Sequence, residues 1–420
     1  FCLSRGLGDV YKRQVLYIYI KMNHFFCNPF FLYFASWSIV VGLYLLGWSD
    51  IYPIISGKLL LFLTVTCIIS LLLALYTHKK KWFVYCAVKD PQRYYKFIMR
   101  YSKWSYCLLL CEFLYQKSIP LFAYLTGNAD EHLYANFGIP IVHIVVINVF
   151  FLLFYVSAYC YFSMRKSINI FLFPVLINFL PFLLCVSRGF ILYMLFGFFL
   201  IALMSCKKVG KVICTLIPIG LLILYLFGLM GNMRIDDSEG NIILNIGEAK
   251  TEFRDSGIPS EFFWAYLYIS SPLGNLQNTI DKTKRFDPET SNWLNLVVNE
   301  MLPVTISKRI GLRMTDRGKY LISDALTVGS TYMGPYTIWG WSGMILVFGA
   351  VMSVIAIFSL LVSRKSVLFV PLVVILSILS FFSLFDNMLI FVGLYPQLLL
   401  IFLMRNKSVS YTHLRAHETG

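Results

Sequence analysis

The stretch RKSINIFLFPVLINFLPFLLCVSRGFILYMLFGFFLIALMSCKK, Arg165 to Lys208, holds two apolar runs, near residues 168–185 and 189–205, separated by one charge, Arg188. Each run approaches the length of about 20 apolar residues that carries a helix across a bilayer. Basic pairs close both outer ends, Arg165 with Lys166 and Lys207 with Lys208, and almost no loop separates the two runs. Short cytoplasmic loops collect Lys and Arg, so the pattern reads as a membrane hairpin with both open ends cytoplasmic.

Working outward, similar runs lie near residues 29–48, 58–76, 104–126, 139–162, 212–231, 342–362, 367–385 and 388–404. The composition agrees: 58% of residues are hydrophobic and 14% charged. A soluble domain needs roughly 25% charged residues to wet its surface. Lys79, Lys80, Lys81, Lys89, Arg93, Lys96, Arg100 and Lys103 are expected to fill the loop after the second run. Arg364 with Lys365, and Arg405 with Lys407, continue the alternation, while Asp50, Asp130 with Glu131, and Asp386 mark the opposite loops. The expected fold is an all-α polytopic integral membrane protein of about ten transmembrane helices, with cytoplasmic termini. The formal charge of +15 is then mainly a topology signal. Nucleic-acid binding would need basic residues gathered on a solvated domain, and none is legible.

Both ends read as foreign. Ser4 to Gln14 (SRGLGDVYKRQ) and Val409 to Thr419 (VSYTHLRAHET) match two translations of one transposase adaptor used in sequencing libraries. Residues 1–14 and 408–420 are therefore set aside from the fold, which leaves both native ends open to truncation and gives His413 and His417 no functional meaning. Removing Arg5, Lys12, Arg13 and Arg415 (four positive) with Asp9 and Glu418 (two negative) takes the net charge from +15 to about +13. The remaining cysteines lie mostly in or beside apolar runs without CxxC or metal spacing, and read as small buried hydrophobes.

The expected organisation is seven transmembrane helices over 15–231, a large external loop over 232–341, and three more helices over 342–407. Within the loop, Pro259 and Ser260 open EFFWAYLYISSP, with Ser260 an expected N-cap and Pro272 an expected stop. A second helix is expected in SNWLNLVVNEMLP, Ser291 to Pro303. Both are expected to lie at the interface, packing the loop onto the membrane or walling a lipid-substrate groove.

Ionisable groups within apolar runs are costly and point to function. Glu112 lies in the third run, with Gln116 and Lys117 following; it is either a buried polar bridge between helices or part of a cavity lining. Arg188 should sit at the outer membrane surface, where its guanidinium either snorkels to headgroups or grips a pyrophosphate bidentately. The second role is the one favoured. His132 and His143 are expected to serve packing.

Three stretches carry a family resemblance. IPLFAYLTGNADEHLYANFGIPIVHIVVINVF (Ile119 to Phe150), with its "IPLF" exit and "YxxFGIP" approach to the next span, resembles the Wzy-like oligosaccharide repeat-unit polymerases. YLYISSPLGNLQNTI (Tyr266 to Ile280) and DALTVGSTYMGPYTIWGWSGM (Asp324 to Met344) are similar to segments of that family's large periplasmic loop. The resemblance implies a GT-C-like glycosyltransferase architecture in a bacterial inner membrane. The implied reaction transfers a growing glycan from undecaprenyl pyrophosphate to a new lipid-linked repeat unit.

That chemistry needs cations for the leaving pyrophosphate and a base for the attacking hydroxyl. The resemblance implies arginines for the first need, and Arg188 and Arg254 fit best, with Arg309, Arg313 and Arg317 in reserve. Asp324 is the expected base, followed by Glu300 and Glu112. Arg313, Arg317, Tyr268, Asn275, Tyr332 and Glu112 are the expected substrate-binding set. No metal and no cofactor is implied. The implied partners are undecaprenyl-pyrophosphate-linked glycans, membrane lipid and a chain-length regulator protein. An O-antigen ligase would share this topology. A flippase would show repeated halves and broken helices at the midplane, and a membrane acyltransferase an intramembrane histidine, for which His143 is the weak candidate.

Overall fold

The computed structural model describes residues 25–85, 91–127, 137–164, 170–205, 209–234, 241–283, 286, 291–310 and 320–413. Among these, regular structure is helical apart from one isolated antiparallel bridge, Ser49 to Ala249. The first part of the chain forms α1 (Pro29–Leu45), α2 (Gly57–Lys79), α3 (Gln92–Gln116), the short α4 (Pro120–Leu125), α5 (Val142–Ser163), α6 (Leu172–Leu184), α7 (Arg188–Ser205) and α8 (Val209–Arg234). Shorter elements and one long helix follow: α9 (Asn241–Ile246), α10 (Thr251–Arg254), α11 (Glu261–Lys282), α12 (Trp293–Glu300) and α13 (Val304–Ile310). Then come α14 (Met333–Leu361), α15 (Phe369–Phe381) and α16 (Tyr395–His413).

Among the described residues, four helices, α2, α5, α7 and α14, are long and apolar enough to cross a membrane. Helices α1, α6 and α15 and stretches of α8 and α16 are apolar but shorter. Helices keep every backbone hydrogen bond within the segment, which is what a hydrocarbon environment demands. The chain is an all-α membrane protein.

Burial divides the helices into two kinds. Helices α5 and α15 are apolar on all sides and form the centre; every residue of α15 from Phe369 to Ser380 is buried. Helix α5 packs on α3, α6 and α7, and α15 packs on α1. Helices α2, α7 and α14 bury one side and leave Leu61, Leu72, Leu192, Leu195, Ile345 and Leu360 exposed. A helix that is apolar all round but half uncovered has lipid as its natural partner. Polar side chains tie the apolar helices together. Asn28 caps α1 by accepting from the Phe30 N–H, and its Nδ2 donates to Thr77 Oγ1 (2.9 Å) and the Ala74 carbonyl (3.2 Å) on α2.

Three boundaries differ from the sequence expectation. Arg93, Lys96, Arg100 and Lys103 do not occupy a loop; they form an exposed stripe on the first three turns of α3. Their 3-4-3 spacing keeps them on one helical face while Ile98, Ser102, Ser105 and Leu109 face inward. The third apolar run also does not continue through 126. It stops at Lys117, whose backbone is left-handed (φ 51°), and Pro120 starts α4 afresh.

The second difference concerns α11. Pro272 does not stop it, Ser260 makes no side-chain cap, and the helix runs for 22 residues. Proline removes one helical hydrogen bond, a loss that neighbouring helices can offset inside a membrane bundle. Helix α11 packs on α8 and α1, with Ser270 to Gln277 buried without a break. The Trp264 indole N–H donates to Asn232 Oδ1 (2.6 Å) and ties it to α8. Third, α14 begins at Met333 but breaks at Trp339 and Gly340, where Gly340 takes φ +57°. A glycine is required there, since Cβ strongly disfavours that region. The break separates a six-residue arm, 333–338, from the long apolar helix that follows it.

Residues 241–283 also build a small second core. Phe253, Phe263, Tyr266 and Leu267 pack against Trp48 and Ile51 of the α1–α2 connection. The Asp50 N–H donates to the Glu248 carbonyl (3.0 Å), and Lys250 pairs with Asp50 at 3.2 Å on the surface. This clamps the polar segment onto one end of the bundle.

Candidate functional site

The connections that carry polar residues meet at that same end. The Ser56 N–H donates to Gln277 Oε1 (2.9 Å), the Thr331 N–H to the Ser383 carbonyl (3.0 Å), and Asn148 Nδ2 to the Val392 carbonyl (3.1 Å). Two carboxylates are buried among the described residues, Glu112 and Glu300, and both belong to this end. A carboxylate taken out of water must be paired or hydrogen-bonded. Each of these is the centre of a polar node.

Glu112 lies on the inward face of α3, one turn beyond Leu109. Its Oε2 lies 2.8 Å from His143 Nδ1 on the first turn of α5, and its Oε1 accepts from the Ile139 N–H at 3.4 Å. The turn Phe137–Gly138–Ile139–Pro140 is shaped for this contact. Gly138 has φ +96°, and a Cβ there would stand 2.6 Å from the His143 ring. Gln116 Nε2 donates to the Gly138 carbonyl at 3.4 Å, and Phe137 sets its ring edge against the imidazole. Ile141, a β-branched residue, is held at φ +72°, ψ −48°. Such a conformation persists only where its surroundings over-determine it.

Glu300 closes α12. Asn387 Nδ2 donates to its carbonyl (2.8 Å) and to its Oε2 (2.9 Å). The carboxylate rests against Gly334, in the first turn of the short arm of α14, where any Cβ would overlap it. A helix N-terminus favours such a charge. Beside it the Tyr332 hydroxyl is hydrogen-bonded to Tyr33, with Trp37 and Phe62 packed on the Tyr332 ring. The buried connector between α15 and α16 joins the two nodes: Asn387 binds Glu300, Phe391 packs on Phe190 and Tyr193, and Val392 receives Asn148 from α5.

Beside the first node, an open groove of about 780 Å³ runs along α3 and α4, walled by Leu110, Phe113, Leu114, Ile119 and Phe122 with Lys117 at its edge. Apolar walls with a single cation suit an acyl or isoprenyl chain carrying an anionic head.

Against known proteins, the chain matches no family model, no curated protein and no solved structure. The site therefore stands on its own geometry.

The residues named from sequence distribute unevenly over it. Arg188 is exposed at the first position of α7; its backbone N–H donates to the Val186 carbonyl (3.0 Å), and its guanidinium makes no hydrogen bond or ion pair among the described residues. Arg254 is committed elsewhere: its Nε donates to the Ala249 carbonyl (2.8 Å), and its Nη2 to the Leu244 carbonyl (3.1 Å) and Asn245 Oδ1 (2.9 Å). The carbonyls at a helix end lack intrahelical donors, and this guanidinium supplies them for α9. Asn275 is similarly engaged, donating to the Leu326 and Val328 carbonyls and accepting from the Ile322 N–H, each at 2.8 Å. It pins the segment before α14. Tyr332 is fully buried, and Tyr268 is half-buried against Phe227 and Trp264. Asp324 is exposed on a turn, remote in sequence from either buried carboxylate. Arg309 is exposed at the end of α13, while Arg313, Arg317 and His132 lie outside the described residues. His143, expected to serve packing alone, is the partner of Glu112. Asn387 carries no charge to mark it in the sequence, unlike its neighbour Asp386. The signals for both were present: a glycine five residues before the histidine, and an amide beside the only acid in a short apolar connection.

Proposed function

We propose that this chain is a lipid-linked-donor glycosyltransferase that polymerises undecaprenyl-pyrophosphate-linked oligosaccharide repeat units at the outer face of a bacterial inner membrane. The observation that carries the reading is where the three family-like stretches fall. Phe137 to Pro140 shapes the Glu112–His143 node, Asn275 anchors the 322–328 segment, and Gly334 admits the Glu300 carboxylate. Sequence features that resemble one enzyme family thus coincide with the buried polar groups of one end of the bundle. Two further features support it. The groove beside α3 and α4 has the chemistry of a polyisoprenyl site, and Arg188 leaves its donors open to a diphosphate. The reading favours Arg188 over Arg254 for the leaving group, since the donors of Arg254 already serve backbone carbonyls.

In a polymerase-deleted host carrying the matching glycan cluster, the chain trimmed of residues 1–14 and 408–420 restores the polysaccharide ladder. Arg188→Ala collapses it to single repeat units, because the pyrophosphate loses its cation. Arg254→Ala lowers the amount of folded protein more than the length of the ladder. Glycan that polymerises without the chain, and reaches lipid A only with it, would replace polymerase by ligase. No effect on surface glycan in any matched host would remove the reading altogether.

A further inference from the structure

We propose that Glu112 and His143 form a carboxylate–imidazole dyad in which His143 Nε2 receives the proton of the attacking sugar hydroxyl. This rests on the glycosyl-transfer reading above and names the base that the reaction needs. The geometry fixes the ring's role. With Glu112 as the ionised acceptor and the ring neutral, the 2.8 Å contact with Oε2 places the hydrogen on His143 Nδ1 and leaves the lone pair on Nε2. The Ile139 N–H holds the other carboxylate oxygen, so Glu112 cannot swing away without losing a second bond. Glu112 is fully buried, whereas the His143 side chain keeps 23% of its surface accessible. Among the described residues nothing hydrogen-bonds Nε2.

A pair serving stability alone does not explain this arrangement. Two well-packed apolar side chains would fill the same space without burying a carboxylate, and they would need neither Gly138 at φ +96° nor Ile141 at φ +72°. Backbone strain of this kind gathers at functional sites. The other acids are less suited. Asp324 is exposed on a turn, and Glu300 is turned onto Asn387 and Gly334.

In the step itself the hydroxyl O–H bond breaks and its proton moves to Nε2. The freed oxygen pair forms the new bond to the anomeric carbon. The anomeric carbon–oxygen bond to phosphate breaks, and its electron pair leaves on the pyrophosphate beside Arg188. The imidazolium, paired with Glu112, then gives its proton to solvent. Glu112 acts as a positioning residue and His143 as the catalytic one.

The test uses the full chain, purified in detergent, with a synthetic lipid-linked repeat unit. His143→Ala is expected to lower kcat at least ~100-fold with KM changed less than ~3-fold, and added imidazole should restore part of the rate. Glu112→Gln should lower kcat by ~10-fold or more, on the same principle, with an unchanged melting profile. Near-parent turnover in His143→Ala overturns the assignment. So does loss of turnover that imidazole fails to rescue in a variant that melts like the parent. If His143→Ala does not fold, diethyl pyrocarbonate on the parent decides, read by mass spectrometry. Carbethoxylation at His143 that slows in Glu112→Gln supports the dyad, and an unreactive ring overturns it. A parent that makes no polymer from any repeat unit sinks the polymerase reading, while the dyad still stands or falls on carbethoxylation.

Discussion

Glycine at 138 and glycine at 334 mark the places where a carboxylate node needs backbone close by. At 138 the chain is at φ +96° and a Cβ would press on the His143 ring at 2.6 Å. Gly138→Ala should therefore cost about 1–3 kcal/mol of stability and part His143 from Glu112. The measurement is the unfolding temperature in detergent alongside turnover; an unchanged melting point with full activity would mean that the turn relaxes freely. Gly334→Ala acts on the other node. Its Cβ would press on the Glu300 carboxylate and break its bond from Asn387, a loss on the order of 1–3 kcal/mol. A carboxylate-to-alanine change at Glu300 in the same background should then add little further loss, because the shared contact is already gone.

At the scale of elements, Asn275 is the pin between α11 and the segment that leads into α14. Asn275→Ala strands one buried carbonyl, one half-buried carbonyl and one N–H. The expected outcome is a loss on the order of 3 kcal/mol and faster proteolysis within 322–328. A raised KM with unchanged melting would instead return Asn275 to the substrate-binding role first expected of it. The neighbouring expectation, that Pro272 ends the helix, failed because a proline costs one hydrogen bond and a local clash, whereas α11 packs on both α8 and α1 and is buried from Ser270 to Gln277. Local signals mark where a helix can end, and packing settles whether it does. The same logic explains α3: its cationic first turns look like a loop by charge, yet spacing keeps them on one exposed stripe.

For the whole molecule, the alternation of Lys and Arg makes a topological prediction. A cysteine placed at Asp50, Asp324 or Asp386 should react with a membrane-impermeant maleimide in intact cells beyond the parent background. One placed at Lys81 or Arg364 should react only after permeabilisation. Labelling of Asp324→Cys from the cytoplasmic side alone would invert the orientation and remove the outer-face reading of the site. The gathering of the 46–56, 137–141, 320–332 and 385–394 connections at one end is what makes the prediction sharp, since all should report the same side.

Much of this architecture was legible in the chain. Apolar runs near bilayer length demand helices, because in hydrocarbon no other open segment satisfies its own backbone. Glu112 stood out for a related reason: a charge inside such a run is too costly to be incidental. The partners of the two carboxylates were not legible. His143 lies 31 residues from Glu112 and Asn387 lies 87 from Glu300, and helical spacing says nothing about contacts between helices. Tertiary packing decided them, by burying both acids and bringing His143 and Asn387 within hydrogen-bond reach of them. It likewise diverted Arg254 and Asn275 to backbone carbonyls, because a buried or half-buried C=O must find a donor, and these side chains were the ones within reach.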